Sequence, residues 1–226
     1  MSNWGNMCIK ITSLSIFKKN KKQFCFKLAK NMTEIEVLKN ALSAFSGMSS
    51  EAFQLSAPHW QLKTYKKGEF YNNYQQVCKY LGFVLDGVFR TYHVDEKNAD
   101  EKNIFLYTNN QLVVSYASFI NQTPCHFYTQ SMVASKVIYI HFDQLTALYR
   151  ESHEWEHLGR LIAEQASNIA LNRTESLLFQ TPEQRYLDLV SQHPDIINSI
   201  PLYHISSYLG IQGPSLSRIR KRISGK

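Results

Sequence analysis

The sequence predicts an α+β fold in which an antiparallel β jelly roll precedes a long helix and a small helix-turn-helix unit. Three observations predict it. Residues 59–141 alternate apolar and polar side chains with a period of two, residues 143–179 change to a helical period, and residues 202–223 contain two short helical segments around a glycine. With 44% hydrophobic residues, 13 Tyr and 13 Phe, the 226-residue chain can bury one large core or two modest ones.

Residues 1–31 are predicted to be a basic tail outside the fold. They contain seven Lys and no acidic residue, and they show no clear period. We predict that this tail is disordered. The organised sequence begins after Met32, where Thr33 and Glu36 have the spacing of a capping box at the start of a helix. Translation from an internal start at Met32 is therefore a hypothesis that the pattern raises.

Two apolar runs, residues 80–85 and 88–92, are separated by Asp86-Gly87. Asp-Gly between apolar runs is a strong signal for a two-residue β-hairpin, so we expect these runs to pair with each other. Further strand-like segments lie at residues 104–107 and 133–142. Several short strands at this spacing predict an antiparallel barrel or jelly roll.

A long helix is predicted from Asp143, its expected N-cap, to about Phe179, shortly before Pro182 interrupts the pattern. One face carries a seam at three- and four-residue steps, formed by Leu158, Leu161, Ile162, Gln165, Ile169, Asn172, Ser176 and Leu177. The stripe extends past the diameter expected of one barrel, so we predict that residues 149–181 form a homodimerisation helix. The alternative is a helix that packs only against its own barrel.

Residues 182–226 are predicted to form a separate helical domain. The segment Pro182–Gln192 can form a helix, with Tyr186, Leu187 and Val190 expected to face inward. In the following segment, Gly210 supplies a left-handed turn between two short helices, and Pro214 suits the first position of the second. The predicted buried residues of these two helices are Ile205, Leu209, Leu216, Ile219 and Ile223. Two short helices around a glycine turn form the helix-turn-helix plan.

The exposed face of the second short helix carries the candidate DNA-binding residues. They are polar or basic: Gln212, Ser215, Ser217, Arg218, Arg220, Lys221 and Arg222. Arg can donate two hydrogen bonds to guanine O6 and N7 in the major groove, while Lys and Ser contact phosphates. The alternative is a solvated basic helix end that the helix dipole favours. The spacing of the polar residues, the glycine turn before them and the basic charge all occur at the second short helix. We therefore predict that this segment binds double-stranded DNA.

The distribution of charge supports this prediction more than its total does. The chain has 25 basic and 18 acidic residues, a formal net charge of +7. Residues 1–31 contribute seven of the basic residues and residues 211–226 contribute five, neither with any acid. The 13 remaining basic residues face all 18 acids, so the body between the two ends is acidic. The predicted DNA-binding helix is therefore a local basic patch beside an acidic domain.

From about Thr33 to its end, the chain resembles the Crp/Fnr family of bacterial transcription regulators, in particular a short subgroup common in Bacteroidetes. The resemblance is carried by Tyr-Leu-Gly-Ile at 208–211, by Ser-Leu-Ser-Arg-Ile-Arg-Lys at 215–221, and by Leu85–Arg90, which is similar to the family's Leu-x-x-Gly-x-x-Arg strand pair. It implies a cyclic-nucleotide-binding-like sensor domain at 32–148, a dimerisation helix and a DNA-binding domain.

The same resemblance implies partners and departures from the family. The implied partners are DNA, a second copy of the chain and RNA polymerase. Two copies would read a near-palindromic operator in the cytoplasm. The family's base-reading positions fall on Gly213, Pro214 and Arg218, and among these Arg218 alone can make the usual contact. The family's C-terminal β-wing is expected to be missing, since the sequence stops shortly after Ile223.

Cyclic AMP is not expected to bind by the family's usual chemistry. The positions of the ligand-binding Gly-Glu and Arg-Ser pairs hold Val114-Ser115 and Cys125-His126. A buried phosphate without its Arg would leave a charge unpaired. Ser115, Ser118, Cys125 and His126 are candidates for the pocket of a less anionic effector; alternatively, they fill a degenerate cavity. The sequence predicts neither a cofactor nor a metal site, and it does not identify an effector.

Two other functional classes stay open. A cupin-like metal enzyme would need a His-x-His pair and a carboxylate, whereas the barrel offers only the isolated His59, His93, His126 and His141. A ligand-binding or interaction protein would leave the basic C-terminus without a role. The chain shows no membrane span, no signal peptide and no C-x-x-C motif among Cys8, Cys25, Cys78 and Cys125, so we expect reduced thiols in a cytoplasmic protein.

Overall fold

The computed structural model describes residues 32–225, so the prediction of a disordered tail at residues 1–31 lies outside the described residues. The helices are α1 (Glu34–Ser46), α2 (Ser50–Ser56), α3 (Tyr116–Asn121), α4 (Phe142–Glu151), α5 (His153–Phe179), α6 (Pro182–Gln192), α7 (Pro194–Ser199), α8 (Leu202–Tyr208) and α9 (Gly213–Ser224). The strands are β1 (Gln61–Tyr65), β2 (Phe70–Asn72), β3 (Tyr80–Asp86), β4 (Phe89–Val94), β5 (Glu101–Tyr107), β6 (Leu112–Val113), β7 (Tyr128–Ser131) and β8 (Ser135–His141).

The strands form two four-stranded antiparallel sheets, in the orders β1-β8-β3-β6 and β2-β7-β4-β5. Side chains from both sheets fill the space between them, and Val84, Phe89, Val113 and Val137 are completely buried there. The Tyr65 ring meets the Phe89 ring edge-on, with 5.5 Å between centroids. The predicted α+β class with an antiparallel jelly roll is confirmed.

The predicted hairpin at Asp86-Gly87 is wrong. Strand β3 pairs with β6 and β8, whereas β4 pairs with β5 and β7, so this turn carries the chain from one sheet to the other. Gly87 has φ +127°, and its N–H donates to Asn109 Oδ1 at 2.7 Å. A Cβ at Gly87 would lie 2.8 Å from the Cα of Ser135. Glycine is needed here for a close approach between the sheets, which local turn chemistry does not reveal.

Helix α1 begins as predicted. Thr33 and Glu36 form a capping box, in which the Thr33 N–H donates to Glu36 Oε2 at 2.7 Å. The helix buries Leu38 and Leu42 in the same core as Trp155 and Leu158 of α5. Helices α1 and α5 thereby cover the outer face of the first sheet, where Phe83 of β3 and Ile138 of β8 belong to the same core.

The predicted continuous helix from Asp143 to Phe179 is divided in two. Ser152 lies between α4 and α5 with extended backbone angles, φ −134° and ψ 124°. The bend lets the Trp155 indole N–H donate to Ala52 O at 2.8 Å, a contact 103 residues apart in sequence. His141, rather than Asp143, is the N-cap of α4, because its Nδ1 accepts from the Asp143 N–H at 3.2 Å.

The C-terminal domain has the predicted helices. In α6, Tyr186 and Leu189 are buried, whereas Leu187 is 45% exposed, so its predicted inward orientation is wrong. Gly210 has φ +69° and turns the chain between α8 and α9, as the sequence indicates. The buried residues of the domain include Ile196, Ile200, Ile205, Leu209, Leu216 and Ile219. Within residues 32–225, no strand follows α9.

None of the helices within residues 32–225 combines the length and the apolar character needed to cross a lipid bilayer.

We expect Gly87→Ala to destabilise the protein by about 2–4 kcal/mol, because the new Cβ adds a steric clash with Ser135 to an unfavourable positive φ. Urea unfolding followed by circular dichroism measures this. Gly213→Ala is the matched control: its Cβ would meet nothing within 4 Å, so its stability should stay within about 0.5 kcal/mol of wild type or rise. Equal stabilities of the two variants would contradict the sheet-crossing role of Gly87.

Candidate nucleic-acid interface

Helix α9 presents one buried face and one solvent face. Gln212 is its N-cap residue, with extended angles φ −82° and ψ 153°, and Pro214 lies in the first turn, where its missing N–H has no cost. Leu216 and Ile219 are buried against the rest of the helix-turn-helix domain. Packing of this apolar face fixes the direction in which the opposite face points.

The solvent face carries the candidate DNA-binding residues that the sequence indicates. Five are exposed, namely Gln212, Ser217, Arg218, Lys221 and Arg222, and two are partly exposed, namely Ser215 and Arg220. Within residues 32–225, neither Arg218 nor Lys221 forms an ion pair. The Ser217 hydroxyl donates to Gly213 O at 3.2 Å. The basic side chains that can contact a base or a phosphate directly are therefore available on the surface.

A groove of about 480 Å³ separates this face from the start of α6. Ser215, Arg218 and Arg222 line one side, and Thr181 and Glu183 line the other. The Glu183 carboxylate forms an ion pair with the guanidinium of Arg222 across the groove. Arg222 thus differs from Arg218 and Lys221, because its charge is already balanced within the chain.

Helix α8, the first helix of the helix-turn-helix, packs on strand β5 at the edge of the second sheet. The Ser207 hydroxyl accepts from the Asn103 N–H at 3.0 Å and donates to Glu101 O at 2.7 Å. The Asn103 side-chain amide donates to His204 O at 3.2 Å. These bonds satisfy backbone groups that an edge strand would otherwise leave unpaired, and they tie the helical domain to the barrel.

Arg90 on β4 is the centre of this contact. It is 3% exposed, and its guanidinium donates to Glu101 Oε2 at 2.5 Å, to Gln130 Oε1 at 2.8 Å and to His204 Nδ1 at 2.9 Å. The guanidinium also stacks on the Tyr92 ring, 3.7 Å from its centroid. A buried charge is thus paired, hydrogen-bonded and stacked at the junction of the two domains.

The geometry fixes the protonation state of His204. A guanidinium only donates hydrogen bonds, so Nδ1 of His204 must accept and the imidazole must be neutral. Burial and the neighbouring Arg90 charge lower the pKa of His204 to about 4. Sequence reasoning found the Arg90 motif but missed its partner, since His204 is 114 residues away and no spacing rule connects the two.

Two further arginines hold the end of α8. Arg173 of α5 donates to the Tyr208 carbonyl and lies over the Tyr208 ring, 4.1 Å from its centroid. Arg185 of α6 donates from Nε to Leu209 O at 3.0 Å and from Nη1 to Gln180 O at 2.6 Å. Cations at the carbonyl end of a helix are favourable. The orientation of the helix-turn-helix therefore depends on arginines from the barrel, α5 and α6.

The candidate effector residues have mainly internal contacts. The Ser118 hydroxyl accepts from the Cys78 N–H at 3.0 Å and donates to Thr123 O at 2.5 Å. Cys125 is buried, and its Sγ accepts from the Phe127 N–H at 3.3 Å. Ser115 is buried, with its Oγ 3.5 Å from Thr129 Oγ1, whereas His126 is exposed. These contacts favour a structural role, and the effector pocket stays a prediction.

The candidate metal-binding histidines lie at separate places around the barrel. His59 ends a 3₁₀ turn, His93 lies on β4, and His141 caps α4. Among the residues that the structure describes, no three His, Cys, Asp or Glu side chains come together as metal ligands would. Cys78 and Cys125 are free and buried, and burial raises the pKa of the Cys78 thiol to about 11.

Comparison with solved structures identifies the class of fold. FixK2 from Bradyrhizobium japonicum has a TM-score of 0.62 at 12% identity, over 74% of this chain and 85% of that one. A Eubacterium rectale protein described as a Crp/Fnr-family transcriptional regulator has a TM-score of 0.62 at 15% identity, over 82% and 88%. The c-di-GMP responsive regulator CLP from Xanthomonas campestris has a TM-score of 0.59 at 15% identity, over 78% and 92%. No protein-family model and no curated protein matches the sequence.

The chain therefore shares with these solved structures an architecture in which a long helix joins a jelly-roll barrel to a helix-turn-helix. More narrowly, it is the Crp/Fnr fold, as the sequence resemblance predicts.

We expect acid to destabilise the protein through His204. Because its pKa is about 4 in the folded state and its ordinary value is 6.5, the unfolded state takes up a proton first as pH falls. The stabilisation is complete above pH 6.5 and is lost between pH 6.5 and 4, by about 3 kcal/mol. Urea unfolding at stepped pH values measures this loss.

His204→Asn should flatten the pH dependence in that window, because an amide oxygen can accept from Arg90 without titrating. His126→Asn, which changes an exposed imidazole, is the matched control and should keep the wild-type profile. A profile of His204→Asn parallel to wild type would show that the acid sensitivity arises elsewhere.

Proposed function

We propose that the protein is a sequence-specific DNA-binding transcriptional regulator of the Crp/Fnr type, which acts as a homodimer on a near-palindromic operator. The observation that carries the proposal is the solvent face of α9. There Arg218 and Lys221 are exposed and, within residues 32–225, have no ion-pair partner, while Leu216 and Ile219 anchor the opposite face. Major-groove recognition requires a helix whose apolar face packs against the protein and whose solvent face carries basic groups that are available to DNA.

Arg218 and Lys221 have different proposed roles. Arg218 lines the groove next to Ser215, and a guanidinium can donate two hydrogen bonds to the O6 and N7 acceptors of guanine. Lys221 is exposed further along the helix, and its ammonium group acts as a point charge towards a phosphate. Base contacts specify a sequence and phosphate contacts position the protein on the duplex.

Helix α5 supports the proposed homodimer. Its first half packs on its own chain, since Leu158 and Ile162 are buried with α1 and the barrel. Its second half exposes large apolar side chains: Ile169, Leu171, Leu177, Leu178 and Phe179, 40–80% exposed. The first half of α5 thus fits the interpretation of a helix that packs against its own barrel. The second half fits the interpretation of a dimerisation helix. Sequence reasoning missed Leu171, Leu178 and Phe179, which lie off the predicted seam.

The proposed dimer determines the form of the operator. Two recognition helices in successive major grooves would lie about 34 Å apart, so the half-sites should be centred about ten base pairs apart. Two-fold symmetry of the protein implies a near-palindrome. In this proposal the protein acts in the cytoplasm and contacts RNA polymerase at the promoter.

Cyclic AMP is not the proposed effector. The positions that hold the ligand in related proteins are Val114-Ser115 and Cys125-His126, which offer no carboxylate for the ribose and no guanidinium for the phosphate. The polar groups nearby are uncharged, and Thr91 Oγ1 and Thr129 Oγ1 lie 2.8 Å apart inside the barrel. An uncharged interior of this kind suits a less anionic molecule.

The contact between α8 and β5 gives the barrel a physical route to the DNA-binding domain. Arg90 belongs to the barrel and His204 to the helix-turn-helix, so a shift of β4 or β5 would displace α8 and α9 together. The solved structures similar to this chain are described as regulators, which argues against the cupin-like enzyme.

We expect Arg218→Ala to weaken operator binding by about 1–3 kcal/mol and to relax the base preference at one position of each half-site, because a bidentate base contact is lost. Lys221→Ala should weaken binding to all sequences and reduce the slope of log K against log salt by about 0.9, because one phosphate contact is lost. The measurement is a titration of fluorescent duplexes selected from a random library with the wild-type protein. Equal losses from both variants, without a change in preference, would contradict the base-reading role of Arg218.

We expect Leu178→Glu to convert the dimer to a monomer, because a buried carboxylate at an apolar interface is unpaired. Size-exclusion chromatography with light scattering measures the mass of the particle. Leu55→Glu is the matched control, since Leu55 is a 41% exposed helical leucine on α2, and this variant should stay dimeric. A folded Leu178→Glu dimer would show that the end of α5 is not the interface.

A further inference from the structure

Glu183 is an acidic residue at the edge of a surface proposed to bind a polyanion. It lies in the first turn of α6, and its carboxylate pairs with the guanidinium of Arg222 on α9. Among the residues that the structure describes, it is the one carboxylate that forms an ion pair with α9. The side chains of Arg222 and Glu183 are 60% and 35% exposed, so an approaching duplex can reach both.

We propose that Glu183 restrains sequence-independent DNA binding by holding Arg222 away from phosphates. The inference rests on the proposed function and identifies a residue that modulates DNA binding by the same surface. It assigns opposite behaviour to two arginines one helical turn apart, since Arg218 is available to bases while Arg222 is occupied by Glu183.

The Glu183 carboxylate lies across the groove from α9 and pairs with the guanidinium of Arg222. A phosphate that approaches Arg222 must either displace the Glu183 carboxylate or remain next to it. In the second case the negative charges of the phosphate and the carboxylate repel each other. Phosphate contacts raise the affinity for every sequence alike. Balancing Arg222 therefore lowers non-specific affinity and leaves the Arg218 contact, which depends on the base, with a larger share of the binding free energy.

Structural stabilisation alone explains this pair poorly. Ion pairs between partly exposed side chains contribute little to folding, because water screens them and both side chains lose conformational freedom. An acid in the first turn of α6 is favoured by the helix dipole, but that effect requires no partner on α9. Glu183→Gln should accordingly remain folded, which circular dichroism and thermal unfolding will verify.

The experiment is a double-mutant cycle of Glu183→Gln and Arg222→Gln. Binding of the full-length protein is titrated against the library-selected duplex and a scrambled duplex over a range of salt concentrations. Glu183→Gln should tighten binding to the scrambled duplex several-fold and steepen its salt slope by about 0.9, because one phosphate contact is gained. Binding to the selected duplex should tighten by a similar factor, because a phosphate contact raises the affinity for every sequence alike. In the Arg222→Gln background the same substitution should have no effect.

The matched control is Glu151→Gln, which removes the same charge from the exposed end of α4. It should leave the salt slope and the affinity for the scrambled duplex at their wild-type values. An equal gain from Glu151→Gln, or a gain that persists in the Arg222→Gln background, would overturn the proposal, because general charge would then explain the effect. Unchanged scrambled binding by Glu183→Gln would also overturn it, and so would a selective loss of the selected duplex, which would instead make Glu183 a base contact.

The same titrations test the proposed function independently of the proposal for Glu183. A wild-type protein that binds all duplexes equally would contradict sequence-specific recognition, yet the scrambled-duplex titrations would still report whether Glu183 restrains Arg222. A wild-type protein that binds no duplex would overturn both.

Discussion

The buried guanidinium of Arg90 is the interaction on which the arrangement of the two domains depends. Its charge is balanced by Glu101 and further satisfied by Gln130 and Tyr92, all from the barrel, so the barrel tolerates the buried cation without help. The contact to His204 is the part that reaches the helix-turn-helix. Because Arg90 can only donate, it forces a neutral imidazole at this point, and the junction is intact only where His204 does not take up a proton.

Hydrogen bonds from other arginines hold α8 in place and thereby determine the direction of α9. Arg173 and Arg185 bind the carbonyl groups at the end of α8, while Ser207 binds the edge of β5. A short helix held at both its side and its end has little freedom to rotate, and α9 follows it through the Gly210 turn. The orientation of the proposed DNA-reading face is thus a property of the whole chain, and a change in β4 or β5 has a direct mechanical path to it.

The sequence predicts features that local chemistry determines and misses those that distant residues determine. The capping box at Thr33, the start of α6 at Pro182 and the turn at Gly210 each depend on a few adjacent residues, and all three are confirmed. The Asp86-Gly87 turn misleads because its residues fit a hairpin, while strand pairing is decided by neighbours elsewhere in the sheets. The break at Ser152 serves contacts made a hundred residues away. For the site, sequence alone identifies the basic face of α9, but it reveals neither the Arg90–His204 contact nor the occupation of Arg222 by Glu183.

The proposed dimer contact and the proposed DNA contact meet at one short segment. The exposed Leu178 and Phe179 end α5, and Thr181, the cap of α6, follows two residues later. Glu183, which pairs with Arg222, lies in the first turn of that helix. A partner helix seated on Leu178 and Phe179 would therefore fix the backbone that positions both Glu183 and the base of the helix-turn-helix. In such a dimer, the spacing of the two recognition helices and the restraint on Arg222 are set by the same few residues, so the proposed dimerisation and the proposed restraint on sequence-independent DNA binding are physically linked.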